Sequence, residues 1–270
     1  MSLLAAAVLG ALQGLTEFLP VSSSAHLILA RAFFGWDAGK FGLPFDVAVH
    51  LGTLLAVVVY FSRDIGAMVA AVPRAFSAQP GPDGRRIWLV VAGTIPVVIV
   101  GLFIWSDAIE AATRTPLVAA VALLVGAGLL FAIERIGAHR GGEETLTAPG
   151  AFVIGVAQTL ALIPGVSRSG ATIAAGMALG LRRDAAARFT FLMSVPAILA
   201  AAGKEGLALR SMTFTRADAT LFAVGMVTSA VVGYFTVKYF IKFLAAHRLD
   251  VFAWYRVGLA LVTFAWLAAR

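Results

Sequence analysis

Long apolar stretches separated by short polar connections run along most of the chain. An α-helix needs about 20 apolar residues to cross roughly 30 Å of hydrocarbon. Six stretches meet this requirement and predict transmembrane helices, at residues 44–61, 87–105, 116–133, 185–202, 219–237 and 251–269.

Two further regions contain pairs of shorter apolar arms around a polar hinge. The first pair is 2–16 and 21–34 around 17–20, and the second is 150–163 and 171–181 around 164–170. An arm of about 14 residues extends only about 21 Å, too little to cross. We therefore predict two re-entrant helical hairpins, because irregular backbone at membrane depth is tolerated only where protein buries it or it lines a cavity. The alternative is that residues 3–19 cross as one helix.

The two hairpins resemble each other in sequence. At an offset of 145, Gly10, Gln13, Leu15, Val21, Ser22 and Ser24 coincide with Gly155, Gln158, Leu160, Val166, Ser167 and Ser169. Each half of the chain, 1–135 and 148–270, then holds one hairpin and three spans, so the halves insert with opposite orientation. The pattern predicts a single-domain, all-α integral membrane protein with an inverted-topology repeat, whose site lies where the repeats meet.

Composition agrees with a multi-pass membrane protein. Hydrophobic residues make up 60% of the chain and charged residues 13%, with a mean hydropathy of +0.93, whereas soluble domains carry about 25% charged residues. The absence of cysteine excludes disulfides and thiolate catalysis. No Lys or Arg precedes Arg31, so we expect the apolar N-terminus to be mature structure and not a signal peptide.

The net charge of +7 is explained by an excess of Lys and Arg in the loops on one side of the membrane. More than half of the 21 Lys and Arg residues lie in four segments that share one side, residues 63–86, 134–146, 182–188 and 238–248. By the positive-inside rule that side is cytoplasmic, and the first hairpin opens outward. No basic run with interleaved aromatics lies outside the spans, so we expect no nucleic-acid partner.

Candidate chemistry in the first hairpin is concentrated between residues 13 and 26. A charge such as that of Glu17 costs about 2.5–3.5 kcal/mol at membrane depth, which makes it a functional candidate. Ser22 and Ser23 precede His26 by four and three residues, a spacing that puts hydroxyl and imidazole on one helix face. Gln13 lies four residues before Glu17, and the two could share a divalent cation, although Gln is the poorer ligand.

The second hinge contains Arg168 in an otherwise apolar region. Glycines and a following helix N-terminus suit an oxyanion, and a guanidinium holds phosphate oxygens with two parallel hydrogen bonds. Arg168 is accompanied by the candidate diphosphate ligands Ser167, Ser169, Gly170 and Thr172. The alternative is a purely structural Glu17–Arg168 ion pair.

Two other polar features receive structural interpretations. For the Asp46–His50 pair, a structural or supporting role is favoured over catalysis. Arg256, inside the last apolar stretch, is expected to extend its charged end to the membrane surface.

The motifs resemble those of the undecaprenyl-diphosphate phosphatase family of the bacitracin-resistance type. The family's Glu/Gln-x-x-x-Glu motif stands here as Gln13–Glu17, followed by Phe18 to His26. Its Pro-Gly-x-Ser-Arg-Ser-x-x-Thr motif stands as Pro164 to Thr172. The resemblance implies an enzyme that removes the terminal phosphate of undecaprenyl diphosphate and recycles the carrier lipid for cell-wall synthesis. Positions implicated in activity match Glu17, Ser23, His26, Ser167, Arg168 and Thr172.

Under this resemblance, Arg168, Ser22 and the second-hinge residues hold the diphosphate and Ser23 attacks phosphorus. His26 serves as base, and Glu17 tunes His26 or binds Mg²⁺ or Ca²⁺ with Gln13. Whether Ser23 or His26 is the nucleophile stays open. Many members have Glu where this chain has Gln13, which puts an obligatory two-carboxylate metal site in doubt. The expected partners are a prenyl diphosphate lipid and the bilayer of the bacterial inner membrane, with the site open to the periplasm. The alternative function is a transporter or flippase of an anionic prenyl-phosphate lipid.

Overall fold

The computed structural model describes residues 2–36, 42–136, 140–210 and 213–270. Within these ranges the protein is built from α-helices, with one isolated bridge between Gly141 and Leu181, which confirms the all-α prediction. The α-helices are α1 Leu3–Thr16, α2 Ser23–Phe34, α3 Leu43–Tyr60, α4 Ser62–Ala75, α5 Gly81–Ile99, α6 Asp107–Thr113, α7 Pro116–Ile133, α8 Ala148–Thr159, α9 Arg168–Ala178, α10 Arg183–Leu209, α11 Arg216–Leu244 and α12 Asp250–Ala268.

Six helices among the described residues are long and apolar enough to cross a membrane. They are α3, α5 with the π-helical turn Val100–Ile104 that extends it, α7, α10, α11 and α12. These are the six predicted spans, and the protein is a multi-pass membrane protein. Two short helices, α4 and α6, were not among the predicted elements. The amphipathic α4 has apolar residues on one side and polar residues on the other, and most of its length is exposed.

The short apolar arms form two helical hairpins. In the first, α1 ends at Thr16 and α2 begins at Ser23; in the second, α8 and the 3₁₀ turn Leu160–Leu162 lead through a short turn into α9. The residues that cap α2 and α9, Ser22 and Ser167, have φ of 71° and 74°. Such values are rare for residues other than glycine. Their hydroxyls accept hydrogen bonds from Ala25 N and Gly170 N, so both turns close in the same way.

The first arm of each hairpin packs closely on a long helix from the other half of the chain. α1 lies against α11, where a Cβ on Gly10 would be 2.4 Å from the Gly225 carbonyl oxygen. α8 lies against α5, where a Cβ on Gly155 would be 2.3 Å from the Gly93 oxygen. Small residues permit this backbone approach between membrane helices. The inverted topology of the halves 1–135 and 148–270 remains a prediction.

Glu134 joins three helices at the end of α7. Its side chain is fully buried, accepts hydrogen bonds from Arg183 Nε (2.8 Å) and Leu249 N (2.7 Å), and lies 3.3 Å from Arg248 Nε. Burial alone would raise the pKa of this carboxyl, but the Arg183 and Leu249 hydrogen bonds and the two guanidinium charges hold the pKa below its ordinary 4.5. The ionised form is therefore favoured in the folded protein.

Replacing this carboxylate is expected to change how stability depends on pH. A lowered pKa stabilises the fold above about pH 4.5 and loses that contribution as pH falls through the folded-state value. We expect Glu134→Gln to lower the thermal midpoint by about 5 °C at neutral pH, a loss of about 2 kcal/mol. The difference should shrink as pH falls below about 4.5. Thermal unfolding in detergent measures this, with exposed Glu144→Gln as the control; a pH-independent difference would contradict the prediction.

Candidate active site

The turns of the two hairpins contact each other. Gly165 N donates a hydrogen bond to Ser22 Oγ (3.1 Å), and Ser169 Oγ donates to the Leu19 carbonyl (2.9 Å). Each contact joins residues about half the chain apart in sequence. The turns around the two polar hinges, 17–20 and 164–170, are therefore in contact.

Glu17 lies at the centre of this contact and is buried. Arg168 Nη2 donates to its Oε1. Ser23 Oγ donates to Oε2 at 2.5 Å, and Gln13 Nε2 donates to the same oxygen at 2.8 Å. The carboxylate therefore joins the hydroxyl of the first turn to the guanidinium of the second.

His50 also approaches Glu17, although the sequence analysis favoured a structural role for it. Its Nδ1 donates to the Asp46 carbonyl at 2.7 Å, because a carbonyl can only accept. The ring therefore presents Nε2 to Glu17 Oε2, at 3.6 Å. The imidazole is partly exposed and lines the same cavity as Glu17 and Ser23. The only sequence signal for His50 was its four-residue spacing from Asp46, which does not indicate an approach to Glu17.

His26 has different neighbours from those that its spacing suggested. Its Nδ1 donates to the Ser22 carbonyl (2.7 Å), so Nε2 accepts from the Tyr255 hydroxyl (2.7 Å). Among the contacts of the described residues, the imidazole bonds neither Ser23 nor Glu17. The expected pairing of the Ser23 hydroxyl with His26 is thus replaced by the Ser23–Glu17 bond. Ser23 begins α2 and points back across the turn, whereas His26 points towards α12.

A cavity of about 260 Å³ opens beside Glu17. One end is polar, with Ser22, Ser23, Ser24, Ser167, Arg168 and His50 in its lining. Another part of the lining, the apolar wall, includes Val97, Leu162, Ala197, Ile198 and Ala201. A second cavity of about 250 Å³ shares part of this lining and continues to Trp105 and Lys204. A ligand with a charged head and an apolar tail suits this space.

Three of the predicted ligands are engaged in hydrogen bonds within the protein. Ser169 donates to Leu19, Gly170 N to Ser167 Oγ, and Thr172 Oγ1 to the Arg168 carbonyl. All three are buried, and none of them lines the cavity described here. Thr172 also accepts from Thr190 Oγ1 at 3.1 Å, which ties α9 to α10. Ser22, Ser167 and Arg168 line the cavity as expected.

Asp46 organises the cavity mouth. It holds Arg31 through two hydrogen bonds of 2.6 and 3.1 Å, and it also bonds Arg114. Arg114 lines both cavities. The Asp46 carboxylate thereby joins α2, α3 and the start of α7, and Arg114 adds a second guanidinium to the cavity.

The helix directions favour an anion at the polar end. α2 begins at Ser23 and α9 begins at Arg168, so two helix N-termini meet at the cavity. The first amides of a helix carry partial positive charge and bind phosphate or carboxylate groups. Together with Arg168, they give the polar end a positive potential that suits an anion.

Among the described residues, the side chains around Glu17 do not fit a resident divalent cation in this arrangement. Both Glu17 oxygens accept hydrogen bonds from N–H or O–H groups, and Gln13 turns its amide nitrogen towards the carboxylate. Gln13 Oε1 is buried without a hydrogen-bond partner, but it is a single neutral oxygen. Across the described ranges there is no group of three or more His, Cys, Asp or Glu residues that could hold a metal ion. The predicted Gln13–Glu17 pair therefore does not fit a bound Mg²⁺ or Ca²⁺ in this arrangement.

Comparisons with known proteins identify the family of the chain. The family model described as bacitracin resistance protein BacA matches residues 6–262. A protein from Rubrobacter xylanophilus named undecaprenyl-diphosphatase is 48% identical over 99% of both chains. Proteins of the same name from Alcanivorax borkumensis (46% identical over 97% of this chain and 98% of the relative) and Moorella thermoacetica (43% over 99% of both) are also similar. The chain belongs to the bacitracin resistance protein BacA family.

Proposed function

We propose that this protein hydrolyses undecaprenyl diphosphate to undecaprenyl phosphate and inorganic phosphate. The observation that carries the proposal is the Ser23–Glu17–Arg168 hydrogen-bond chain at the polar end of a cavity with an apolar wall. A hydroxyl, a base and a guanidinium are the groups that phosphoryl transfer requires. The product would re-enter cell-wall synthesis as carrier lipid, which accounts for bacitracin resistance.

The polar end is proposed to bind the diphosphate head. Arg168 would exchange its bond to Glu17 for phosphate oxygens and neutralise the charge that develops on them. The first amides of α2 and α9 would face the same group, with Ser22 and Ser167 holding both turns in shape. Ser169, Gly170 and Thr172 contribute by supporting the second turn.

The chemistry is proposed to proceed in two displacements. Ser23 Oγ attacks the terminal phosphorus while Glu17 takes its proton, and the bond between that phosphorus and the bridging oxygen breaks. Undecaprenyl phosphate leaves and takes that proton from Glu17, and Ser23 carries the phosphoryl group. A water molecule then gives a proton to Glu17 and attacks the phosphoserine. The bond between phosphorus and Ser23 Oγ breaks, inorganic phosphate leaves, and Glu17 returns the proton to the Ser23 oxygen.

The two histidines are assigned different roles. His50 Nε2 lies 3.6 Å from Glu17 Oε2 and would receive the proton of Glu17 once the two groups approach to hydrogen-bond distance. His26, held between the Ser22 carbonyl and Tyr255, would fix the start of α2 and so the direction of the Ser23 hydroxyl.

The prenyl tail is proposed to lie along the apolar wall formed by α5, the 3₁₀ turn Leu160–Leu162 and α10. The second cavity reaches Arg114 and Lys204, away from the loops that carry most of the basic residues. By the positive-inside rule this supports access from the periplasmic side of the bacterial inner membrane.

A divalent cation is proposed to arrive with the diphosphate. Glu17 and Gln13 alone offer too few free oxygens, whereas a diphosphate supplies several. In an electron paramagnetic resonance titration, the purified protein should leave the free Mn²⁺ signal unchanged. Adding a methylene-diphosphonate analogue of the lipid should reduce that signal beyond the analogue alone. Stoichiometric Mn²⁺ binding by the protein without analogue would contradict this.

Phosphate release in detergent tests the function. The purified protein should release inorganic phosphate from undecaprenyl diphosphate in detergent, where no membrane separates two compartments. Arg168→Lys should lose most of this rate, because an ammonium group cannot donate the two parallel hydrogen bonds of a guanidinium. A transporter or flippase of prenyl-phosphate lipid would release none. Movement of labelled lipid across vesicles without hydrolysis would replace this proposal with transport.

A further inference from the structure

Arg256, near the middle of α12, is fully buried, and so the expectation that it extends to the membrane surface is wrong. Its guanidinium donates only to backbone carbonyls in the contacts given by the structure. Nε bonds Leu123 (3.1 Å) and Nη1 bonds Pro20 (3.3 Å). The Nη2 acceptors are the carbonyls of Ala122 (3.3 Å), Gly165 (2.7 Å) and Val166 (2.9 Å).

These carbonyls belong to both hairpin turns and to α7. Pro20 lies between Glu17 and Ser23 in the first turn, and Gly165 and Val166 immediately precede Ser167 and Arg168 in the second. One rigid guanidinium thus binds the backbone of both turns. Along the chain, the bound carbonyls of the turns are at most three residues from Glu17, Ser23 or Arg168.

The space for this guanidinium is kept open by glycine. A Cβ added at Gly126 would lie 1.9 Å from Arg256 Nη2, and one at Gly170 would lie 3.1 Å from Nη1. The neighbouring Tyr255 donates to His26, so adjacent residues of α12 contact both α2 and the turns.

A contribution to folding stability does not by itself explain a fully buried arginine at position 256. A buried charge is costly, and apolar residues of similar volume replace buried ionic groups with little loss or even a gain in stability. Among the residues that the structure describes, no ion pair is given for Arg256, and its acceptors are all neutral carbonyls.

We propose that Arg256 is a positioning residue that fixes the separation of the two hairpin turns, and with it the placement of Ser23 and Glu17 opposite Arg168. This rests on the proposed function, because it assigns Arg256 a part in the same reaction. The separation of the turns is a property of the protein without substrate, so one of its tests does not depend on hydrolysis.

The kinetic test compares Arg256→Met and Arg256→Lys with Arg183→Met, which breaks the Glu134 ion pair away from the cavity. A misplacement of about 1 Å can cost about 100-fold in rate, so we expect Arg256→Met to lose about 100-fold in kcat and Arg256→Lys to lose about tenfold. Rates are normalised to folded protein from size-exclusion chromatography. Arg183→Met should lower the thermal midpoint and keep the wild-type kcat. A wild-type kcat in folded Arg256→Met would overturn the proposal.

The structural test uses spin labels on a protein that has no cysteine of its own. Cysteines replace Leu15 and Leu160, both exposed and each close to one turn. The distance distribution between the labels should broaden in Arg256→Met and remain unchanged in Arg183→Met. An unchanged distribution in Arg256→Met would overturn the positioning role even if the lipid were not hydrolysed. If Arg256→Met does not fold, Gly126→Ala provides the same test, because the added methyl group would displace Arg256 Nη2. A wild-type distance distribution and a wild-type kcat in Gly126→Ala would overturn the proposal.

Discussion

Glu17→Gln is expected to reduce phosphate release by about 10³-fold, within the range for loss of a general base. Glutamine keeps the size of the side chain but cannot take the Ser23 proton. In the wild type, Ser23 Oγ and Arg168 Nη2 both donate to the Glu17 carboxylate. The glutamine amide group would face one of these donors with its own N–H, and that hydrogen bond would be lost. Initial rates of phosphate release from prenyl diphosphate in detergent measure the effect, and membrane insertion should be retained because the change removes a buried charge.

Glu205→Gln is the matched control for this experiment. Glu205, on α10, also lines both cavities but takes no part in the hydrogen bonds between the turns. We expect its removal to leave the rate close to that of the wild type. Equal losses in the two variants would mean that cavity charge in general, and not the Glu17 contact with Ser23, controls the rate.

The hairpins and the groups that they bring together could be predicted because the signal is local. Arms too short to cross, each interrupted by proline and polar residues, leave few arrangements that hide the hinge backbone from lipid. Glu17 and Arg168 lie in those hinges, and opposite charges at membrane depth favour each other. Their contact therefore followed from the positions of the two hinges.

The remaining contacts of the site depend on helix rotation, which local spacing does not determine. Ser23 and His26 are three residues apart on α2, yet one faces Glu17 and the other Tyr255 on α12. His50 reaches Glu17 only because α3 packs beside the first hairpin, and its spacing from Asp46 did not predict that. Arg256 looked like a residue near a membrane surface, because the carbonyls that bind it lie far away in sequence.

The division of roles between Ser23 and His26 also suggests why the turns have unusual backbone. Ser22 adopts a positive φ, and its carbonyl accepts from His26 while its hydroxyl binds both Ala25 N and Gly165 N. Unfavourable backbone conformations persist where the surrounding contacts over-determine them, commonly at functional sites. Here the strained residue directs the neighbouring Ser23 hydroxyl towards Glu17.

Ser23→Ala is expected to abolish turnover, with a loss of about 10³-fold or more, because it removes the attacking oxygen. Ser24→Ala changes the adjacent serine of the same cavity wall and should retain most of the activity. Acid quenching of the wild-type reaction with substrate labelled in the terminal phosphate should leave acid-stable label on the protein, as expected for phosphoserine, and Ser23→Ala should carry none. Acid-labile, base-stable label would identify a phosphohistidine instead, and would return the nucleophilic role to an imidazole despite the contact of His26 with Tyr255.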